Sequence, residues 1–291
     1  MAEKDMTEKT LESYNDVFAD IVNVLLFNGR QVVKEDELTP ETPHSLYKAD
    51  GKLHEQERDV AKFWNNTNVR IALYGLENQT EIDVDIPLRV ISYDGAAYRD
   101  QLNGQKKRRY PVVTLVLYFG EKRWNNPRCL HDCLEIPEDL KPYVSDYKVN
   151  VFEIAWLSEE QVNLFQSDFK YVADYFVQVR KNKNYVPSAE TIDHVRETLQ
   201  LLAVLTKDNR FEEYANTQAK EGERVTMSEV LDRMINEGYN RGISIGRNEG
   251  ISIGEARGIS IGEERTKKIY EEEIALLKAK LARYEAQELS N

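Results

Sequence analysis

The chain alternates between two hydrophobic periods. Over residues 8–27, Leu11, Tyr14, Val17, Phe18, Ile21, Val22, Leu25 and Leu26 recur at helical spacing, which predicts an amphipathic helix closed by Asn28-Gly29. Gln31-Val32-Val33 reads as a short strand, and residues 34–43, with Pro40 and Pro43, as loop. Residues 55–79 read as a hairpin: one arm ends in Phe63-Trp64, Asn65 to Asn68 supply turn chemistry, and the second arm is β-branched and apolar. Pro87 marks a helix start, with Leu88, Val90, Ile91, Ala96, Ala97 and Leu102 toward the sheet and Arg89, Tyr93 and Tyr98 along another flank. Tyr110 to Gly120 predicts a central buried strand and Tyr147 to Leu157 another. Ser158 caps a helix predicted to run to about Arg180, and a further helix is expected from Ser188 to Leu205. Strands alternating with helices imply an α/β layer architecture with a mixed sheet.

The candidate chemistry lies at the end of the hairpin. Strand side chains alternate, so Leu73, Gly75, Glu77 and Gln79 share one side of the second arm. Asp59 on the first arm lies near the same rim by count. Two carboxylates and an amide there outline a hard-cation site, and oxygen donors suit Mg²⁺, which keeps water and substrate phosphate in its remaining positions. The alternative is that Asp59 is a surface acid and residues 77–79 merely end a strand.

Asp59, the apolar strand ending in Glu77-Asn78-Gln79, and the following Ile86-Pro87-Leu88-Arg89-Val90-Ile91-Ser92-Tyr93 together resemble the recombination-promoting nuclease/putative transposase family of the PD-(D/E)xK nuclease superfamily. The resemblance runs over roughly residues 10–215 and implies a restriction-endonuclease-like core, Mg²⁺ or Mn²⁺ as cofactor, and DNA as substrate. It implies Asp59, Glu77 and Gln79 as catalytic residues, with Asp59, Glu77 and the Asn78 carbonyl on the metal. Gln79 stands where the superfamily has lysine. An amide neither takes up a proton nor carries charge, so it can orient water but not deprotonate it. The first helix of the superfamily often adds an acid to the metal site, which makes Asp16 and Asp20 accessory candidates; the plainer reading of each is an ordinary solvent-facing acid. Arg89 and Tyr93 are accessory candidates for holding phosphate, Arg89 through its bidentate fork.

Charge qualifies this picture. The formal net charge is −12, unlike the basic footprint of a bulk nucleic-acid binder. Basic residues nonetheless cluster at Lys106-Lys107-Arg108-Arg109 and again at Lys122, Arg123 and Arg128, where phosphate contact competes with a solvated loop. Cys129 and Cys133, with His131 between them, are too few donors for structural zinc and read as reduced thiols. The first residues are too charged for a signal peptide and no apolar run reaches membrane length, so a cytoplasmic, non-membrane protein is expected.

From Gly242 the chain repeats Gly-Ile-Ser-Ile-Gly, with glycine at every fourth position to Gly262. On a helix this is a smooth ridge open to another backbone, although each glycine costs about 1 kcal/mol relative to alanine. Gly-rich strand or disorder is the competing reading. Tyr270, Ile274, Leu277, Leu281 and Tyr284 then step by four and three as a short heptad seam. The expected organisation is a nuclease-like domain over 1–215, a linker and repeat over 216–265, and a coiled-coil helix over 266–291, with homodimers or larger homo-oligomers forming through the tail. Two other functions fit: a nuclease fold kept for binding without useful catalysis, and an assembly protein acting through its repeats.

Overall fold

The computed structural model describes residues 10–41, 47–49, 52–54, 59–76, 84–103, 109–219 and 224–288. In chain order, α1 (Asn15–Phe27) leads to β1 (Leu38–Glu41), the short β2 (Tyr47–Ala49) and β3 (Lys52–His54), then β4 (Asp59–Trp64) and β5 (Val69–Leu76). α2 (Ile86–Asn103), β6 (Val112–Tyr118) and β7 (Asn150–Glu153) follow. Then come α3 (Glu159–Val162), α4 (Phe169–Asn182), β8 (Thr191–Ile192), α5 (Val195–Thr206), α6 (Asn209–Thr217), β9 (Val225–Thr226) and α7 (Met227–Glu288).

The central sheet has five strands in the order β1-β4-β5-β6-β7; β1, β4 and β5 are antiparallel neighbours, while β5, β6 and β7 run parallel. The expected hairpin is present, with residues 65–68 as its turn and Asn68 at φ 53°. Parallel neighbours need a crossover, and α2 supplies it between β5 and β6. This mixed sheet flanked by helices is the expected α/β fold, consistent with a nuclease-like core. The predicted buried strand is β6, with Leu115, Val116 and Leu117 fully inside.

Several expectations from the hydrophobic pattern are corrected. Residues 38–41 form a strand rather than a loop. Pro40 is tolerated because β1 is a sheet edge and pairs on one side only, with β4. Gln31 to Val33 is not a strand, because buried Asn23 takes the N–H groups of Val32 and Val33 on Oδ1 at 3.0 and 2.8 Å and gives its own N–H to the Val33 carbonyl at 2.8 Å. The single helix expected from Ser158 is two. Ser158 does cap α3 with a reciprocal Gln161 bond, but the chain breaks before α4. α5 begins at Val195 rather than Ser188, since Thr191 and Ile192 pair with Thr226 and Val225. β9 thereby ties residues 225–226 back to the globular part, and the first compact unit extends to Leu231.

The inward face of α2 is also different. Leu88 and Leu102 are exposed, whereas Asp94 and Gln101 are buried beside Ile86, Val90 and Ala97. Asp94 accepts the Thr114 hydroxyl at 2.6 Å and also the Tyr147 hydroxyl. Gln101 donates to the Tyr110 carbonyl at 3.0 Å and accepts from its N–H at 2.9 Å, while the Tyr98 hydroxyl accepts from Val112 N–H at 3.1 Å. α2 is thus tied by polar bonds at three levels to β6 and to Tyr110 just before it. On α1, Asn28 takes the left-handed conformation expected of the cap.

The second compact unit, Asp232–Asn291, continues α7. The glycine repeat is helical rather than strand, and every side chain from 235 to 281 is exposed within the chain. No described helix is long and apolar enough to cross a membrane.

Candidate active site at the ends of the parallel strands

Asp59 is the first residue of β4 and stands opposite Tyr74 of β5. β5 is described to Leu76; Glu77, Asn78 and Gln79 follow it directly and lie outside the described residues, as do Lys106 to Arg108. Three residues of chain separate Glu77 from Tyr74, the residue paired with Asp59.

The register fixes what surrounds this point. Leu76 is level with Tyr118, and Tyr118 with Glu153, so β5, β6 and β7 end in one row. In open α/β sheets ligands bind outside the carboxyl ends of the strands, and Glu77 is the next residue along the chain from that row.

The described side chains around this row are a carboxylate, arginines and aromatic rings. Glu153, 14% exposed, accepts Trp124 N–H at 2.8 Å and holds Arg128 at 3.2 Å and Arg123 at 3.6 Å. The Arg123 and Arg180 guanidinium groups lie over the Trp156 ring, 4.7 and 4.0 Å from its centroid. One half-buried carboxylate and one indole therefore fix arginines whose exposed remainder faces water; Arg123 is 58% and Arg128 45% exposed. Burial, and secondarily Glu153, raises the Tyr118 hydroxyl pKa above its usual 10.0.

Gly120 is dictated by this packing. A Cβ there would sit 2.0 Å from Cζ and from the hydroxyl oxygen of Tyr118, whose ring packs edge-on against Trp124 at 5.1 Å. Gly120→Ala should push the Tyr118 ring off Trp124 and cost about 1–3 kcal/mol, as overpacking does. Near-ultraviolet circular dichroism and urea unfolding would register both effects; an unchanged spectrum and midpoint would show that Tyr118 has room to move.

The accessory candidates divide. Tyr93 packs against the cluster of Ile86, Val90, Val116, Trp124 and Val149. Arg89 lies one turn earlier on α2, exposed, and both make contacts within the chain. Asp16, in the first turn of α1, is 3.2 Å from Nε2 of His194, whose ring stacks on Tyr14 at 3.9 Å. Asp20 does not face solvent. It is 5% exposed, and its Oδ2 accepts from the N–H groups of Gln166 and Ser167 at 2.9 and 2.8 Å and from the Ser167 hydroxyl at 2.7 Å. The hydrogen-bond partners found for Asp16 and Asp20 thus belong to the segments before α4 and α5, not to β4 or β5.

Among the described residues no group of three or more His, Cys, Asp or Glu is arranged to hold a metal. The fit of Mg²⁺ therefore rests on donor chemistry: the two carboxylates of Asp59 and Glu77 and the Asn78 carbonyl are all hard oxygen donors. The sequence pattern marks Glu153 as an acid on an otherwise buried strand, near a rim or paired, and leaves it outside the site; the structure pairs it with Arg123 and Arg128. The Trp156 stack had no signal in the spacing.

The family model described as putative transposase, YhgA-like, matches residues 50–209, more than half of the 291 residues. The chain belongs to this family. Comparison with curated proteins and with solved structures finds no match. In this YhgA-like chain the matched span holds both arms of the hairpin, α2, the arginine cluster and the helices through α5.

Proposed function

We propose that this YhgA-like protein is a metal-dependent DNA endonuclease of the cytoplasm, with the metal held by Asp59, Glu77 and the Asn78 carbonyl. The observation that carries the reading is the register: Asp59 is paired with Tyr74, three residues before Glu77, and β5 ends in line with β6 and β7. Mg²⁺ or Mn²⁺, when bound, would lower the pKa of a water and offset charge on the phosphoryl oxygens. Gln79 orients that water through its amide. Arg123 and Arg128 contact backbone phosphates beside the site, and Arg89 is a further phosphate ligand. Two chains joined through α7 would present two sites to a duplex.

The test is incubation of the full chain with supercoiled plasmid. Relaxed and linear products with Mg²⁺ or Mn²⁺, abolished by a chelator, support the proposal; intact plasmid with either metal removes it. Intact plasmid together with measurable binding would establish the second reading, a nuclease fold used for DNA binding alone, which Gln79 in place of lysine and the charge of −12 favour.

The arginines give a separate prediction. Each of Arg123→Ala and Arg128→Ala should weaken duplex binding regardless of sequence and reduce the slope of log affinity against log salt by about one. Fluorescence anisotropy across a salt series measures the slope, and a wild-type slope in both variants would place the phosphates elsewhere.

A further inference from the structure

We infer that α7 pairs with α7 of a second copy of the chain, parallel and in register, through its Gly-Ile-Ser-Ile-Gly octads. The inference rests on the chain pairing just named and is independent of the cleavage chemistry.

Residues 235–281 are exposed on all sides of the helix, including Ile243, Ile245, Ile251, Ile253, Ile259 and Ile261. A helix that carries isoleucines at regular steps, none of them buried within its own chain, needs another surface. The glycines at 242, 246, 250, 254, 258 and 262 form a row with nothing within 4 Å of the places their Cβ atoms would occupy. Charges on the two flanks of that row identify the partner. The row just after the glycines carries Arg247, Glu255 and Glu263; the row just before them carries Arg241, Glu249 and Arg257 and is continued by Arg265, ahead of Thr266. From Arg247 to Arg265 one row is the charge inverse of the other.

Within one helix these charges are wasted. Arg247, Glu249, Glu255 and Arg257 have no opposite charge three or four positions away, where helical neighbours meet. Across two parallel helices the following row of one faces the preceding row of the other, as the flanking positions of a coiled coil do. Arg247 then meets Glu249 of the second copy, Glu255 meets its Arg257, and Glu263 meets its Arg265. Isoleucines fall opposite isoleucines at the intervening steps.

Antiparallel pairing is disfavoured by what lies on either side of the repeat. With the helices crossing at residue 252, residues 273–280 would lie opposite residues 224–231, where Val225, Met227 and Val230 are already buried in the first compact unit. Parallel pairing instead brings the exposed Tyr270, Ile274, Leu277 and Leu281 together and sets Glu273 against Lys278 of the second copy. Because the glycine period of four exceeds 3.6, the octads wind right-handed, the sense of close small-residue crossings.

The full chain is compared by sedimentation with two variants: Arg247→Glu/Arg257→Glu/Arg265→Glu, and Glu249→Arg/Glu255→Arg/Glu263→Arg. Wild type should be dimeric at micromolar concentration, each variant monomeric with its helical circular dichroism largely kept, and an equimolar mixture dimeric again. For polarity, Ser260→Cys is spin-labelled in a Cys129→Ser/Cys133→Ser background. Parallel pairing places the two labels side by side, whereas antiparallel crossing at residue 252 separates them by about 24 Å along the axis. A monomeric wild type, variants that dimerise alone, or the long label separation would each overturn the inference. Plasmid cleavage is not read in any of these, so loss of the nuclease reading would leave their outcome unchanged.

Discussion

Asp59→Ala and Glu77→Ala should each lower Mg²⁺-dependent plasmid cleavage by at least about 10³-fold, equivalent to about 4 kcal/mol of transition-state stabilisation. A divalent ion binds through the charge and number of its oxygen donors, and each substitution removes one carboxylate from a set of three protein donors. Affinity for duplex should change little, because the proposed phosphate contacts at Arg123 and Arg128 are held by Glu153 and Trp156, not by the substituted acids. Loss of rate with retained binding separates a missing ligand from a damaged fold. Asp59→Asn sharpens the test: it keeps the shape of the side chain and removes its charge, so it should be nearly as inactive as the alanine variant. Cleavage within about threefold of wild type in either alanine variant would mean that the metal, if used, is held elsewhere.

What could be read from the chain before its coordinates depended on the range of the interactions involved. The β4–β5 hairpin was legible because its alternation and Asn65–Asn68 turn are local, and α1 because Asn28-Gly29 stops it locally. The break between α3 and α4 was not, since it is imposed by Asp20, 146 positions away from Gln166. The late start of α5 has a similar cause: buried Asp168 takes the N–H groups of Asp193 and His194, and β9 draws off Thr191 and Ile192. For α2, ranking residues by hydropathy placed Val90 and Ala97 inward correctly but also Leu88 and Leu102, which are exposed, and it missed Asp94 and Gln101, which are buried by specific partners. The candidate site divides along the same line. Asp59 takes the strand position that the hairpin implied, while the arginine-holding role of Glu153 required knowing that residues 123–128 return to the end of β7.

Asp20 itself carries the second large effect. Asp20→Ala strips an acceptor from two backbone N–H groups and the Ser167 hydroxyl, all three of which lie in the segment that joins α3 to α4. Hydrogen bonds to a charged group contribute about 1.5–3 kcal/mol and buried donors left unpaired cost more, so a loss of about 3 kcal/mol is expected in urea unfolding at neutral pH. A loss below about 1 kcal/mol would show that the segment is held by its apolar neighbours instead. The charge works against the fold even as the bonds support it. Burial raises the Asp20 pKa above its ordinary 3.8, outweighing the bonds from Ser167 and Gln166 that lower it, and Oδ1 has no hydrogen-bond partner among the described residues. The folded state therefore holds this proton more tightly than the unfolded state, so its contribution to stability is full below about pH 3.8 and is lost as pH rises through the folded value. Asp20→Asn keeps an acceptor and cannot titrate. The stability of wild type relative to Asp20→Asn should accordingly be greatest in acid, fall as pH rises, and level off once the carboxyl is ionised in both states. A difference that instead grew with pH would mean that the hydrogen bonds outweigh the burial and that Asp20 is held as a carboxylate below its ordinary range.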